Sequence, residues 1–548
     1  MIQTLAGPTT TNYLDYLRGR FGLNTNQLTD SLFVENNRLY CQDLDLLQIS
    51  KEFGSPLEIG FTPLVTRQVH KMQGYFASAF RRKGYRSKFT YAYASKAAQY
   101  EDLIRTALQA GAHYETSSPM DLQMARLHWK AGNLPSDRMI LTNGFKTSAY
   151  VQNIMQMRRE GFKNIIPIIE SAGEVAPFAN SPFDFEVGLR LQVDRSILPY
   201  GDFSRVTSRF GVAQADIQAV AARIAATPNL KLVMFHSMID TQCVDRENWV
   251  KALLISFRNY CELKLVHPTL RAFNFGGGMP VPYSLDFDFD YQAFADELTE
   301  GIMHLCAEYG IDHPEIIGEF GRYTAAAYGF DFYKVVVAKP SHDPDVAWYV
   351  IDGSLMSSLP DTWALKQQFI VLPLNGYDKP FKKAWISGLT CDSDDVYRSG
   401  EPDDTVMLPD VDYFEDGEEL VIGVFMTGAY QDMLSGIGGV HHCLLPEPGE
   451  LVIEAAPNGR GYTYTRSVPT QSLDAMASLL GYHKYLSYLG NHGESADGGE
   501  KAVEVGGEMI TLAGAPMAAR RNNRARNFIR NLGTVGRGRK QRPLAAGS

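Results

Sequence analysis

The sequence predicts an α/β protein: a (β/α)8 barrel followed by an antiparallel β-barrel domain. Three observations carry this. From about residue 56 to 335, short apolar runs alternate with helical stretches. An alternating region of that size, roughly 280 residues, suits a (β/α)8 unit. After about 335 the helical rhythm stops, and strand-like runs follow one another between Pro, Gly and Asp. The 548-residue chain thus divides into an N-terminal segment (1–55) expected to pack with the β domain, the barrel (56–335), the β domain (336–490) and a tail (491–548).

Taken in order, residues 1–55 hold a strand-like run, FVENNRLYC. In the barrel region the candidate strands are FTYAYAS (89–95), RMILTN (138–143), IIPII (165–169), VGLRLQV (187–193), LKLVMFHS (230–237), FNFGG (273–277) and EIIGEF (315–320). Helix-like segments such as AAQYEDLIRTALQAG and YQAFADELTEGIMHLCAEYG lie between them. The later strands are FYKVVVA, AWYVIDG, QQFIVLPL, KAWISGLTC, ELVIGVF and ELVIEAA, with a short helical stretch around 470–490. From about 494 the chain is rich in Gly, Ala and Arg, lacks periodicity and reads as mostly disordered.

Composition is ordinary for a soluble globular protein, 45% hydrophobic and 21% charged. The six cysteines are scattered and include no CxxC, which argues against a disulfide framework and a zinc site. MIQTLAGPTT has no charged leader region, and no run approaches about 18 apolar residues, so no membrane span is expected and a cytoplasmic enzyme is the default. Net charge is −10, although residues 519–548 carry nine Arg or Lys and no Asp or Glu. The body is therefore more acidic than the total, which suits a small cationic substrate better than nucleic acid. The basic run RRNNRARNFIRNLG reads as a solvated tail rather than a nucleic-acid binder.

Several strand ends carry chemistry. FTYAYAS runs into Lys96, and a lysine after apolar residues at the C-terminal end of a barrel strand is placed for Schiff-base chemistry. Gly276, Gly277 and Gly278 follow a strand and let backbone N–H groups approach a phosphate. Glu319 and Arg322 sit at another strand end, where a carboxylate can hold a protonated pyridine nitrogen; His236, at a third, can stack on a planar ring. Singly, each has a plainer reading: a surface lysine, a tight turn, an ion pair, a packed histidine. In GLTCDSDDVY (388–397), Cys391 stands among Asp392, Asp394 and Asp395 with no basic residue inside that ten-residue window. Carboxylates disfavour the thiolate, so this is a setting for a protonated thiol and not for a nucleophile.

The order of these features is more specific than any one of them. Tyr93-Ala94-Ser95-Lys96, Ser208-Arg209-Phe210-Gly211, His236, Gly276-Gly277-Gly278, Glu319-Phe320-Gly321-Arg322, Cys391-Asp392-Ser393 and Gly428-Ala429-Tyr430 form a series. It resembles that of the fold-type III pyridoxal-phosphate decarboxylases, which act on ornithine, arginine and diaminopimelate. LTNGFKTSAYV, SSLPDTWALKQQFIVLPLNG, LTCDSD and FMTGAYQDML most resemble biosynthetic arginine decarboxylases. The likeness spans about residues 35 to 455.

The resemblance implies an alanine-racemase-like two-domain architecture and pyridoxal 5'-phosphate as cofactor; no metal-ligating residue is assigned. It implies that Lys96 links to the cofactor aldehyde, Glu115 lies near that lysine, and Glu319 holds the ring nitrogen. His236 would stack on the ring, and Gly277, Gly278, Gly321, Arg322 and Tyr430 would serve the phosphate side. Cys391 would be the proton donor after CO2 leaves. Asp392 would receive the distal cation of a basic amino acid, with Asp352 and Asp395 as further candidates. It also implies a homodimer whose sites are shared, the Cys391 loop crossing from the partner.

Three departures bear on these expectations. The family's usual His-x-Gly-Ser is here His236-Ser237-Met238-Ile239. The large helical insert that bacterial and plant arginine decarboxylases carry before SLPD is replaced by a short stretch, about Pro340 to Ala347. Asp352 stands where ornithine decarboxylases have an acidic substrate residue. Arginine is the expected substrate, with ornithine, lysine and diaminopimelate as alternatives. A catalytically silent relative and a racemase on the same fold are the readings from other classes.

Overall fold

A computed structural model describes residues 12–194, 208–482, 485–486, 501–505 and 508–512. Eight parallel strands close into a barrel: Phe89–Ala94, His113–Thr116, Ile140–Thr142, Ile165–Ile169, Phe185–Arg190, Leu230–His236, Ala272–Asn274 and Glu315–Glu319, the last pairing back onto the first. Seven of these are the expected strands. The eighth, His113–Thr116, was absent from that set because HYET offers no apolar run.

Period-2 alternation builds both the core and the site. Ala92, Leu141, Ile168, Met234, Ala272 and Ile317 point into the barrel and fill it. Two residues further on, at the C-terminal ends of the same strands, come Ala94, Asn143, Glu170, His236, Asn274 and Glu319. The lumen is therefore apolar below and polar at its mouth. Neighbouring strand residues such as Tyr91, Tyr93, Tyr114 and Ile316 face outward into the main core beneath the helices. Those helices are punctuated by their caps. Thr62–Lys83 has proline in its first turn and ends at Gly84 in the left-handed region (φ 72°). Pro119–Lys130 starts at Ser118, whose hydroxyl accepts from Asp121 N–H.

The second sheet corrects the expectation of an antiparallel β barrel: it is a nine-stranded mixed sheet. Leu57–Phe61, which precedes the barrel in sequence, pairs parallel with Gly449–Ala455 and antiparallel with Gly329–Pro340. Val346–Ile351 pairs parallel with Phe381–Ser387. The parallel pairs join strands separated by long stretches of chain, and such pairings leave no local mark in a sequence. The FVENNRLYC run folds as a hairpin, Leu32–Glu35 with Arg38–Cys41, and Leu39 N–H donates to Leu374 O across to the β domain. The reading of 494–548 as disordered lies mostly outside the described residues; within that span, Lys501–Val505 pairs antiparallel with Glu508–Leu512. Among the described residues, no helix is long and apolar enough to cross a membrane.

Candidate active site

The barrel mouth opens into a cavity of about 490 Å³, lined by Lys96, Asn143, Arg190, Phe210, His236, Met238, Gly277, Gly278, Glu319, Gly321, Arg322 and Tyr430, among others. This volume suits a small organic cofactor.

Lys96 sits in a 3-10 turn, Ser95–Ala97, directly after its strand. The turn is tied down from below: buried Asp121 accepts from Ser95 Oγ (2.7 Å), Gln99 Nε2 (3.1 Å) and Ser117 N–H (2.8 Å). Lys96 Nζ donates to Glu115 Oε2 at 3.0 Å. Burial alone would lower the lysine pKa, but Glu115, Tyr430 and Glu319 together raise it. Burial raises the Glu115 carboxyl, while Lys96 opposes it.

One amide connects the two acids. Asn143 Nδ2 donates to Glu115 Oε1 (2.9 Å) and to Glu319 Oε2 (2.8 Å), and Asn274 Nδ2 donates to Glu319 Oε1 (2.7 Å). Two buried carboxylates would otherwise repel, and leaving them unpaired costs several kcal/mol per ion. His236 Nε2 lies 3.7 Å from Glu319 Oε2. Burial pushes the His236 pKa well below its usual value, so the ring is a neutral imidazole. Arg190 Nη1 donates to the buried Glu170 at 2.9 Å, and its guanidinium lies 4.8 Å from the Phe210 ring centre.

The phosphate side is built from backbone and one arginine. Gly276 and Gly278 have φ of 70° and 105°, and a Cβ on Gly277 would meet Glu319 O at 2.8 Å, so the turn requires glycine. Arg322 Nη1 donates to Tyr283 OH (2.7 Å), and its guanidinium lies 4.7 Å from the Tyr430 ring centre. Tyr430 adopts φ 72°, with its N–H on Ala97 O at 2.7 Å. The missing Gly-Ser has a structural consequence. Ser237 turns away into the core, where its Oγ bonds Ser256 Oγ at 2.9 Å. Met238 lines the cavity instead, and Gly277 N–H meets its sulfur at 3.1 Å.

Pyridoxal 5'-phosphate fits these residues. Both His236 ring nitrogens, Asn143 Oδ1 and Arg322 Nε are buried without a partner among the described residues. Gly277 N–H faces only a thioether, a weak acceptor that a phosphate oxygen would better. An amine, an anchored carboxylate, a flat neutral ring and an N–H cradle are the donor set this cofactor needs.

The remaining expected residues lie elsewhere in the chain. Cys391 is exposed on the loop after Phe381–Ser387 and does not line the cavity; neither do Asp392, Asp395 and Asp352. Asp395 is buried and occupied by its own loop, accepting from Met356 N–H (3.0 Å) and Thr390 Oγ1 (2.7 Å). Asp352 Oδ1 accepts from Lys334 N–H at 2.9 Å beside a separate cavity of about 200 Å³. Asp392 is half-buried, and its Oδ1 accepts from Asp394 N–H at 2.9 Å. The Cys391 thiol pKa is pushed up, first by its hydrogen bond with Cys443 and only last by Asp392. Cys443 is thus the main influence, one that the acidic window of sequence did not reveal. Asn143, within LTNGFKTSAYV, is a site residue that sequence reasoning misses; its +2 spacing from Leu141 in the lumen is the signal that finds it.

Residues 65–326 match the family model for the pyridoxal-binding domain of pyridoxal-dependent decarboxylases. Residues 65–326 thus carry the pyridoxal-binding domain of the pyridoxal-dependent decarboxylases, the ornithine, arginine and diaminopimelate group, and the cofactor is pyridoxal 5'-phosphate. Within that group it is similar to the biosynthetic arginine decarboxylase of Thermosynechococcus vestitus, 22% identical over 81% of this chain and 85% of the relative. The solved biosynthetic arginine decarboxylase from Campylobacter jejuni superposes with a TM-score of 0.73 at 21% identity, covering 87% and 94% of the two chains. Diaminopimelate decarboxylase from M. jannaschi gives 0.67 at 19%, covering 82% and 98%. The fold is therefore shared by enzymes with different named substrates.

Proposed function

We propose that the protein decarboxylates arginine to agmatine and CO2, in a homodimer whose two sites each draw on both chains. The observation that carries the chemistry is the Lys96–Glu115–Asn143–Glu319 network at the barrel mouth. The likeness to arginine decarboxylases supports arginine over ornithine, lysine and diaminopimelate.

Bound pyridoxal phosphate supplies an electron sink for the pair left when the α-carboxylate departs as CO2. Lys96 Nζ is the amine that would hold the cofactor through its aldehyde. Glu319, with Asn143 and Asn274 donating to it, would hold the proton on the ring nitrogen. His236, neutral and buried, would pack on the ring. Gly277, Gly278, Gly321, Arg322 and Tyr430 would serve the phosphate side.

Cys391 donates the proton to the α-carbon, and its raised pKa keeps the thiol protonated for that step. Because Cys391 and Asp392 lie outside their own chain's cavity and are accessible, the loop serves the partner's site. Asp392 receives the guanidinium. It is preferred over Asp395, which is buried and already accepts from Met356 N–H and Thr390 Oγ1; Asp352, which like Asp392 gives one oxygen to a backbone N–H, is the second candidate.

The test is incubation of the cofactor-loaded protein with L-arginine, L-ornithine, L-lysine and diaminopimelate, following CO2 and amine. Arginine should give the highest kcat/KM. A higher value for another member reassigns the substrate, and no CO2 from any of them favours a silent relative.

A further inference from the structure

Cys391 and Cys443 stand 52 residues apart in sequence, yet their sulfurs lie 3.3 Å apart, and His442 Nε2 lies 3.9 Å from Cys391 Sγ. All three side chains are exposed, and their donor atoms fall within 4.8 Å of one another. We propose that Cys391, His442 and Cys443 form a three-ligand site for Zn2+, and that its occupation withdraws the Cys391 sulfur from catalysis. The second half rests on the proton-donor reading above; the first does not.

The geometry is close to what the ion requires. Bonds of about 2.3 Å to sulfur and about 2.0–2.1 Å to nitrogen in a tetrahedron place the sulfurs roughly 3.8 Å apart and each sulfur roughly 3.5 Å from the nitrogen. Both observed separations lie within about half an ångström of these values, in opposite senses, and small rotations of exposed side chains remove the difference. Two thiols and an imidazole are zinc ligands rather than magnesium or calcium ligands. Three protein ligands leave a fourth position open, the pattern of an exchangeable site rather than a closed structural one.

The surroundings support the same assignment. Cys391 N–H donates to Cys443 Sγ at 3.3 Å, which favours the anionic sulfur once a metal displaces its proton. The adjacent His441 is turned to Glu447 (4.0 Å), so His442 alone of the pair faces the sulfurs. Asp392 adds negative charge nearby, while Asp394 is paired with Arg398 at 2.9 Å. Binding releases two thiol protons to solvent as two S–Zn bonds form, with no electron transferred. A cysteine bound in this way has no S–H left to give. The sequence conceals the cluster, because zinc signatures are read from local spacing and these ligands come from two distant loops.

The test uses full-length, cofactor-loaded protein kept reduced with a phosphine, titrated with Zn2+ against a chromophoric chelator. One Zn2+ per chain should bind, and His442→Ala or Cys443→Ser should weaken binding about tenfold or more. Circular dichroism should match the parent, since both residues are on exposed loops. Co2+ in place of Zn2+ should give thiolate-to-metal absorbance that falls in Cys443→Ser. No binding in the micromolar range, or equal binding by the parent and the His442→Ala/Cys443→Ser double variant, overturns the site. Turnover should fall as Zn2+ fills the site. Binding as expected with turnover unchanged would leave the site standing and contradict the withdrawal of Cys391.

Discussion

At the barrel mouth, Glu115, Asn143, Asn274 and Glu319 are buried and bonded to one another, all within one chain. Cys391, Asp392 and Cys443 are exposed or half-exposed and lie outside that cavity. The first region must fix charges in a place with little solvent, so each carboxylate needs a donor, and the strand ends supply it with small tolerance. The second, on the proposed reading, carries a proton donor and an acid for a flexible cation, and a loop is the element that can be brought to a neighbouring site. The contrast teaches that the groups suited to the cofactor gather within one chain, while the substrate half, on that same reading, comes from the partner.

Breaking the first region should have the largest effect. Lys96→Ala should remove the absorbance of lysine-bound cofactor and reduce turnover to background while circular dichroism is unchanged. Near-normal turnover would take Lys96 out of the mechanism. Breaking the second region should spare the cofactor and damage catalysis. Asp392→Asn should lower kcat/KM for the basic amino acid by about ten- to a hundredfold, the worth of a charge-assisted hydrogen bond of roughly 1.5–3 kcal/mol. Cofactor absorbance should persist. If kcat/KM is unchanged for arginine, ornithine and lysine alike, the distal-charge role belongs elsewhere.

A subtler change sharpens the boundary between the two regions. Asn143→Ala removes the donor shared by Glu115 and Glu319, and leaving those acceptors buried should cost about 1–3 kcal/mol. The thermal midpoint and cofactor affinity should both fall, with turnover down roughly tenfold if the lost bond is worth about 1.4 kcal/mol in the transition state. An unchanged midpoint would show that water replaces the amide. The smallest effect is expected from deleting residues 519–548, which should leave kcat and KM as they were. A large fall in kcat would bring the tail into the site.

Legibility followed the same division. Lys96, His236 and Glu319 could be found because each stands at the end of an apolar strand, and apolar runs are conspicuous. His113–Thr116 escaped because a strand of four residues with polar His113 and Glu115 carries no such run. Asn143 is visible as a letter but not as the donor between two acids, since that role needs three strands, not all of them neighbours, to end at one barrel mouth. The mixed sheet was hidden for a related reason: Leu57–Phe61 pairs with strands from 329–340 and 449–455. Cys443 likewise takes its meaning from a loop 52 residues away.

The most direct test of the shared site is subunit complementation. Lys96→Ala and Cys391→Ala, each of low activity alone, are mixed in equal amounts, exchanged between dimers and assayed. If the Cys391 loop serves the partner's Lys96, random exchange between two-fold symmetric dimers should restore roughly a quarter of parental activity, because half the dimers then hold one intact site. No recovery, with mixed dimers verified by differently tagged chains, would mean that Lys96 and Cys391 act within one chain and would contradict the account.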